Sequence, residues 1–176
     1  MASRRGLIGR ATIGIFVIGI LVLGSVPQAT AETVTFKSLT HVTKSEMVPI
    51  ADVEGHSIFL TVREGVAVFQ NGDWAWTTST NVRDLIKGAG TGDAYSTYTF
   101  MDGSTFIVHR KGAIEATPQG VTSAAKWTGD IIHGTGRFQG IKGTIATTAK
   151  IFPPEKGEPV GKALSDGTLT YTLPGK

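Results

Sequence analysis

The side chains that could carry acid, base or metal chemistry are scattered along this chain of 176 residues. Its four histidines, His41, His56, His109 and His133, form neither H-x-x-x-H nor H-E-x-x-H, the spacings at which two histidines share one metal ion. No G-x-S-x-G elbow supports a Ser-His-Asp triad. The absence of cysteine excludes disulfides, thiol catalysis and Cys-ligated metals. The sequence therefore predicts no metal site and no cofactor.

Two glycine-rich stretches resemble nucleotide-binding loops only superficially. They read GAGTGD at 88–93 and GTGRFQG at 134–140. Neither has the G-x-G-x-x-G spacing, and neither lies between a strand and a long helix, so a phosphate would find no helix N-terminus to bind. Nucleotide binding is not expected.

The net charge of +3 comes from the N-terminus. The 17 Lys and Arg exceed the 14 Asp and Glu by three, and Arg4, Arg5 and Arg10 account for the whole excess. The remainder of the chain is balanced, whereas proteins that bind nucleic acids usually carry a surplus or a clustered patch of positive charge. A nucleic-acid partner is therefore not expected.

The first 31 residues have the form of a secretory signal peptide. A basic head precedes an apolar run of 14 residues from Ala11 to Gly24, and Ala29-Thr30-Ala31 supplies an A-x-A cleavage site. The run is shorter than the about 20 residues that span a membrane. We expect cleavage near Ala31 and a secreted or periplasmic protein without a stable membrane anchor. The Arg4-Arg5 pair leaves the general secretory and twin-arginine routes both open.

Residues 32–176 are expected to form one domain of short strands separated by turns. Thr, Val, Ile and aromatic residues dominate the runs, as in pleated sheets. The predicted strands are 33–43, 56–63, 65–70, 73–78, 94–101, 104–116, 126–133, 141–151 and 167–173. One short helix is predicted at Val82–Lys87, with N-cap candidates at 79–81 and Gly88 at its end.

The dipeptide Asn71-Gly72 is the sharpest turn signal. It favours a two-residue type I′ hairpin, which places Phe69 opposite Trp74. Trp74 and Trp76 would then pack in the core. The other face of the hairpin is also partly apolar, as in a barrel wall covered from outside or in a subunit interface.

A second hairpin turns at Asp102-Gly103. A loop of odd length gathers its aromatic residues on one face, whereas an even loop disperses them, so we predict the odd loop. The lumen candidates are Tyr98, Phe100, Phe106, Val108, Arg110 and Glu115. An apolar stripe that ends in a cation suits an amphipathic molecule such as a fatty acid derivative or a carboxylated terpenoid. Alternatively the stripe is ordinary core, and Arg110 pairs with Glu115 or Asp130 at the rim.

The segment 94–151 resembles a known family. It contains Y-T-F-M-D-G-S at 98–104, W-T-G-D at 127–130 and G-T-G-R-F-Q-G-I-K-G at 134–143. These motifs resemble the barrels of allene oxide cyclase-like and dirigent-like proteins, here as a bacterial exported member. The resemblance implies an all-β, calycin-like fold: one antiparallel eight-stranded barrel with at most one or two short helices. It also implies a homotrimer.

Enzymes of that family bind an apolar substrate in the lumen and steer a cyclisation or coupling without a cofactor. No catalytic position transfers to this chain, so the catalytic residues stay unassigned. The favoured function is a secreted barrel that binds a small apolar or amphipathic molecule. The alternatives are a cofactor-free cyclase or isomerase, with Tyr98, His109, Arg110 and Glu115 as acid–base candidates, and a structural barrel whose lumen is filled. The contents of the lumen distinguish the three.

Overall fold

The computed structural model describes residues 30–117, 123–157 and 161–174. The expected signal peptide lies outside these residues except for Thr30 and Ala31. None of the helices within the described ranges is long and apolar enough to span a membrane.

The described residues form one closed barrel of eight strands, in which each strand pairs with the next and the last returns to the first. All pairings are antiparallel. The strands are β1 (Glu32–Pro49), β2 (His56–Phe69), β3 (Trp74–Ile86), β4 (Ala89–Phe100), β5 (Thr105–Ala116), β6 (Ser123–Gly134), β7 (Lys142–Ile151) and β8 (Ala163–Thr172). A 3₁₀ turn covers Gly136–Phe138. The predicted eight-stranded antiparallel barrel is confirmed.

The strand β3 shows most clearly why the chain forms a barrel wall. Its residues alternate between exposed and buried from end to end, because successive side chains point to opposite faces of a sheet. The predicted helix at Val82–Lys87 is wrong. Arg83 and Leu85 are buried while Val82 and Ile86 are exposed, so the period of two continues and overrides the weak helix signals. The strand ends at a turn in which Lys87 and Gly88 have positive φ.

The two-residue turn predicted at Asn71-Gly72 is also wrong. The N–H of Phe69 bonds to the carbonyl of Asp73, at 2.8 Å, and leaves a three-residue loop at 70–72. Within the loop at 70–72 only Gly72 has positive φ, at 89°, which suits a type I turn followed by one left-handed residue. The extra loop residue reverses the faces, so Trp74 and Trp76 lie on the outer surface.

The odd-length loop predicted between β4 and β5 is present. It spans 101–103, since the N–H of Phe100 bonds to the carbonyl of Ser104 at 2.9 Å and Tyr98 pairs with Phe106. The loop turns the aromatic stripe inward. Phe106 and Val108 are fully buried.

The interior consists of two apolar clusters with a polar layer between them. The larger cluster fills the end closed by the loops at 70–72 and 101–103, and it includes Phe36, Ala67, Phe69, Ala75, Tyr98, Phe100, Phe106, Val108, Ile131, Phe138, Ile141, Ile145 and Leu169. The smaller cluster consists of Leu85, Ala94, Ile114, Ala125 and Trp127. Along β3 the inward residues between the clusters are Thr77, Ser79, Asn81 and Arg83. We call this level of the barrel interior, between the two apolar clusters, the polar layer of the lumen.

Candidate ligand-binding site in the lumen

Three arginines from different strands meet in the polar layer. Arg63 of β2 and Arg83 of β3 are 6% and 7% exposed, and Arg110 of β5 is partly buried. All three line a cavity of about 60 Å³, whose other polar lining residues are Ser, Thr, Asn81 and Tyr98. None of the described residues that line this cavity is Asp or Glu. The cavity is therefore surrounded by positive charge and neutral donors.

Arg110 makes its polar contacts with hydroxyl groups. Its Nη2 donates to Ser96 Oγ at 2.5 Å and to Ser79 Oγ at 3.3 Å, and its Nη1 donates to Thr147 Oγ1 at 3.4 Å. Its guanidinium lies 5.8 Å from the centroid of the Trp127 ring. Among the described ion pairs none includes Arg110, so the rim pairing with Glu115 or Asp130 is not formed.

The other two arginines also contact neutral acceptors. Arg63 Nη2 donates to the carbonyl of Gly161 at 2.9 Å, and Arg83 Nη2 donates to Thr61 Oγ1 at 2.9 Å. Three further nitrogens are buried without a hydrogen-bond partner among the described residues: Arg63 Nη1, Arg83 Nε and Arg110 Nε. Buried donors are rarely left unpaired, because an unmade bond costs about 1–3 kcal/mol.

The electrostatics follow from burial. Burial, together with the charge of Arg83, lowers the pKa of Arg63 to about 10, and burial also lowers the pKa of Arg83. Arg63 at that value stays protonated at neutral pH. Burial raises the pKa of the Tyr98 phenol, which the charge of Arg110 partly offsets, so Tyr98 is neutral there. The described lining of the cavity therefore has a positive electrostatic potential.

The structure separates the six lumen candidates into three groups. Tyr98 and Arg110 line the cavity. Phe100, Phe106 and Val108 pack in the larger apolar cluster, where the Phe100 and Phe106 ring centroids are 5.7 Å apart. Contrary to the prediction, Glu115 does not face the lumen. It is exposed on β5 because Ile114 takes the inward position.

His109, an acid–base candidate, lies on the outer surface. Its Nε2 is 2.6 Å from Asp93 Oδ1, and its ring stacks on Tyr95 with centroids 4.4 Å apart. The ranges that the structure describes contain no group of three or more His, Asp and Glu side chains arranged to hold a metal ion.

Sequence reasoning missed Arg63 and Arg83. Arg83 was hidden by the helix predicted over it, although the alternation along 74–86 places it on the same face as Ser79 and Asn81. Arg63 follows the same rule along β2, where Thr61, Arg63, Ala67 and Phe69 are buried. The period of two places each arginine on the buried face of its own strand, but it does not show that the two side chains share one cavity.

A comparison with solved structures finds two similar barrels. The pterocarpan synthase dirigent protein GePTS1 matches over 93% of this chain and 96% of its own, with a TM-score of 0.48 and 14% identity. The pterocarpan synthase dirigent protein PsPTS1 matches over 82% and 97%, with a TM-score of 0.46 and 16% identity. Both neighbours are dirigent proteins. At this identity the likeness concerns the fold alone. No family model and no curated protein matches the chain.

Proposed function

We propose that this barrel binds a small molecule with an anionic group in the polar layer of its lumen. One observation carries the proposal: Arg63, Arg83 and Arg110 surround a cavity that has no carboxylate among its described lining residues. Buried charges are costly unless they are paired. An anionic ligand would supply the pairing that the described part of the chain does not.

The free donors suit such a ligand. Guanidinium groups form charge-assisted hydrogen bonds with carboxylate and phosphate oxygens. Arg63 Nη1, Arg83 Nε and Arg110 Nε are buried and without protein partners among the described residues. They lack the acceptors that the oxygens of a bound anion would supply.

The aromatic stripe is not an open surface on which a ligand's long apolar tail could bind. Phe106 and Val108 are 0% exposed, and the Tyr98 and Phe106 rings stack with centroids 4.7 Å apart. This stripe is packed core, so the fatty acid expected from the sequence would have to displace it. The proposal is therefore a compact anion or amphipathic ligand rather than one with a buried chain.

Titration calorimetry of benzoate against benzyl alcohol, its neutral analogue, tests the proposal. Benzoate should bind saturably and benzyl alcohol should not. Arg110→Gln should weaken benzoate binding at least tenfold, about 1.4 kcal/mol. Lys111→Gln is the matched control, because Lys111 is the next residue of β5 and is exposed. Saturable binding of benzyl alcohol as tight as that of benzoate, or equal benzoate affinity in wild type and Arg110→Gln, would overturn the proposal.

Trp127 offers a second readout of the same binding. It lines the cavity, whereas Trp74 and Trp76, the other two of the three tryptophans, are exposed on the outer wall. In the Trp74→Phe/Trp76→Phe variant, fluorescence reports on Trp127 alone. Benzoate should change that emission with the affinity measured by calorimetry.

A cofactor-free cyclase or isomerase of the dirigent-like type is the second candidate function. The observation that favours it is Tyr98, a neutral phenol in the cavity wall that has a proton to donate. Native mass spectrometry of the protein from its own host can identify a co-purified molecule, which is then incubated with fresh protein. If the molecule is recovered unchanged after this incubation, the protein is a carrier rather than an enzyme. Conversion to an isomer that Tyr98→Phe prevents supports catalysis.

The proposal also covers where the protein is located and its oligomeric state. Cleavage near Ala31 would release a chain beginning at Glu32, where β1 starts, into the periplasm or the medium. The exposed apolar residues Val68, Trp74 and Trp76 on the outer wall support the homotrimer that the family resemblance implies. Light scattering of the purified protein tests this assembly, and a monomer at micromolar concentration would contradict it.

A further inference from the structure

Resting on the proposed function, we infer that the group recognised in the lumen is a doubly charged tetrahedral oxyanion of the phosphate type, in preference to a monocarboxylate. The first support is the charge balance. Arg63, Arg83 and Arg110 bring three positive charges, and the hydrogen bonds described for them all go to hydroxyl or carbonyl oxygens. A monocarboxylate would leave two of these charges without a counter-charge, whereas a dianion compensates two of the three.

The second support is the direction from which the donors come. Arg63, Arg83 and Arg110 stand on β2, β3 and β5, so their side chains line the cavity from different parts of the barrel wall. The two oxygens of a carboxylate lie in one plane and are satisfied by one or two guanidinium groups. A tetrahedral oxyanion presents oxygens in several directions and can accept bonds from all three.

The third support is the size of the cavity. One water needs roughly 10–15 Å³, so about 60 Å³ accommodates a group of about four to six water-sized atoms. Phosphate has five. Ser79 and Thr147 also line the cavity, and their hydroxyl groups can donate hydrogen bonds to phosphate oxygens.

The same chemistry has two sources, a free phosphate ion and the headgroup of a phosphate monoester. Calorimetry with inorganic phosphate, phenyl phosphate, acetate and benzoate separates them in a buffer free of other oxyanions. We expect phosphate to bind at least tenfold more tightly than acetate, or phenyl phosphate at least tenfold more tightly than benzoate. Arg63→Gln and Arg83→Gln should each weaken that binding at least tenfold, and Lys111→Gln should change it less than twofold.

The pH dependence reports the charge of the bound species. A phosphate monoester takes its second charge near pH 6, while benzoate is ionised throughout the range. Phenyl phosphate affinity should therefore rise about tenfold between pH 5 and pH 7 relative to benzoate. The benzoate series, measured over the same pH range, cancels any change in the protein itself.

Each outcome has one meaning. Binding of benzoate as tight as that of phenyl phosphate, with no gain for phosphate over acetate, overturns the dianion and leaves the anion-binding function standing. Failure of all four anions to bind the folded wild-type protein overturns both. Phosphate binding without phenyl phosphate binding identifies the free ion, and tighter phenyl phosphate binding identifies the ester. Because these comparisons use the wild type, they hold even where an arginine variant fails to fold.

Discussion

The indole of Trp127 occupies the space that a side chain at Gly112 would need. The two residues pair across β5 and β6, and a Cβ at Gly112 would lie 2.5 Å from ring atoms Cδ2 and Cε3. Gly92 on β4 pairs with Gly112, and a Cβ at Gly92 would likewise lie 2.5 Å from atom Cη2 of the same ring. Two glycines on adjacent strands thus make room for the ring that faces Arg110 and the cavity.

Gly112→Ala should destabilise the barrel because the added methyl collides with Trp127. We expect a loss of about 1–3 kcal/mol, the range for overpacking, measured by urea unfolding. In a Trp127→Leu background the same substitution should cost less, and the cost that remains comes from the carbonyl oxygen of Lys126, which lies 2.7 Å from the added Cβ. An equal cost in both backgrounds would show that the ring is not the cause.

Arg137 should stabilise the end of the barrel by joining three loops. Its Nη2 is 3.0 Å from Asp73 Oδ2, its Nε is 3.6 Å from Asp102 Oδ2, and its guanidinium lies 4.6 Å from the Phe100 and 4.9 Å from the Phe138 ring centroids. Since the ion pairs are partly exposed, their share is small, and with the ring contacts Arg137→Ala should cost about 1–2 kcal/mol.

Arg137→Lys should recover less than half of that loss, because an ammonium lacks the planar face that stacks on the rings. Lys37→Ala is the control. Lys37 forms an exposed ion pair with Asp166, and its loss should change the unfolding free energy by less than about 0.5 kcal/mol. Full recovery by lysine would show that charge alone stabilises this end.

His56 should make stability depend on pH. Its Nδ1 is 2.5 Å from Asp52 Oδ1 and its Nε2 is 2.7 Å from Asp84 Oδ1. The hydrogen bonds to Asp52 and then to Asp84 raise the pKa of His56. The stabilisation from the charged ring is therefore complete below the unfolded value of about 6.5 and is lost as the pH rises through the higher folded value.

The measurement is the melting temperature of wild type and His56→Gln between pH 5 and pH 9. The difference should be largest at the acid end and shrink towards pH 9. Below this range the lowered pKa of Asp52 affects stability in the opposite direction. The stabilisation from its carboxylate is lost as the pH falls and the carboxylate is protonated. A difference independent of pH would contradict the assignment.

Gly72→Ala should destabilise the first hairpin more than Asn71→Ala does. Gly72 has a φ of 89°, and a Cβ there would meet no atom within 4 Å, so the cost is backbone strain of about 1 kcal/mol or more. Asn71 accepts a hydrogen bond from the N–H of Asp73 through its side-chain Oδ1 at 3.1 Å, and its own φ is not positive. Equal unfolding midpoints of the two variants would argue against the three-residue loop.

N-terminal sequencing of the protein recovered from the medium or periplasm tests export. The A-x-A site predicts that the chain begins at Glu32. An intact Met1 in a membrane fraction would instead indicate a retained anchor.

The sequence was sufficient for the fold class and for part of the site. Alternating runs between turns predicted an all-β chain, the family resemblance implied the eight-stranded barrel, and the parity of the stripe from Tyr98 to Arg110 correctly predicted the odd loop at 101–103. These inferences succeeded because side-chain alternation is local to one strand or hairpin. The same local reasoning placed Trp74 in the core, because the choice between a two-residue and a three-residue loop at 70–72 reverses the faces while the strand pattern stays plausible for both.

Only the tertiary structure brought the candidate site together. Arg63, Arg83 and Arg110 lie far apart in the chain, and each by itself looks like an ordinary charged strand residue. Their meeting depends on the pairing of β1 with β8, which closes the sheet and turns one face of every strand towards a common axis. Closure is a property of all eight strands at once, so no local pattern shows which polar residues share the lumen or that the described lining of their cavity contains no carboxylate.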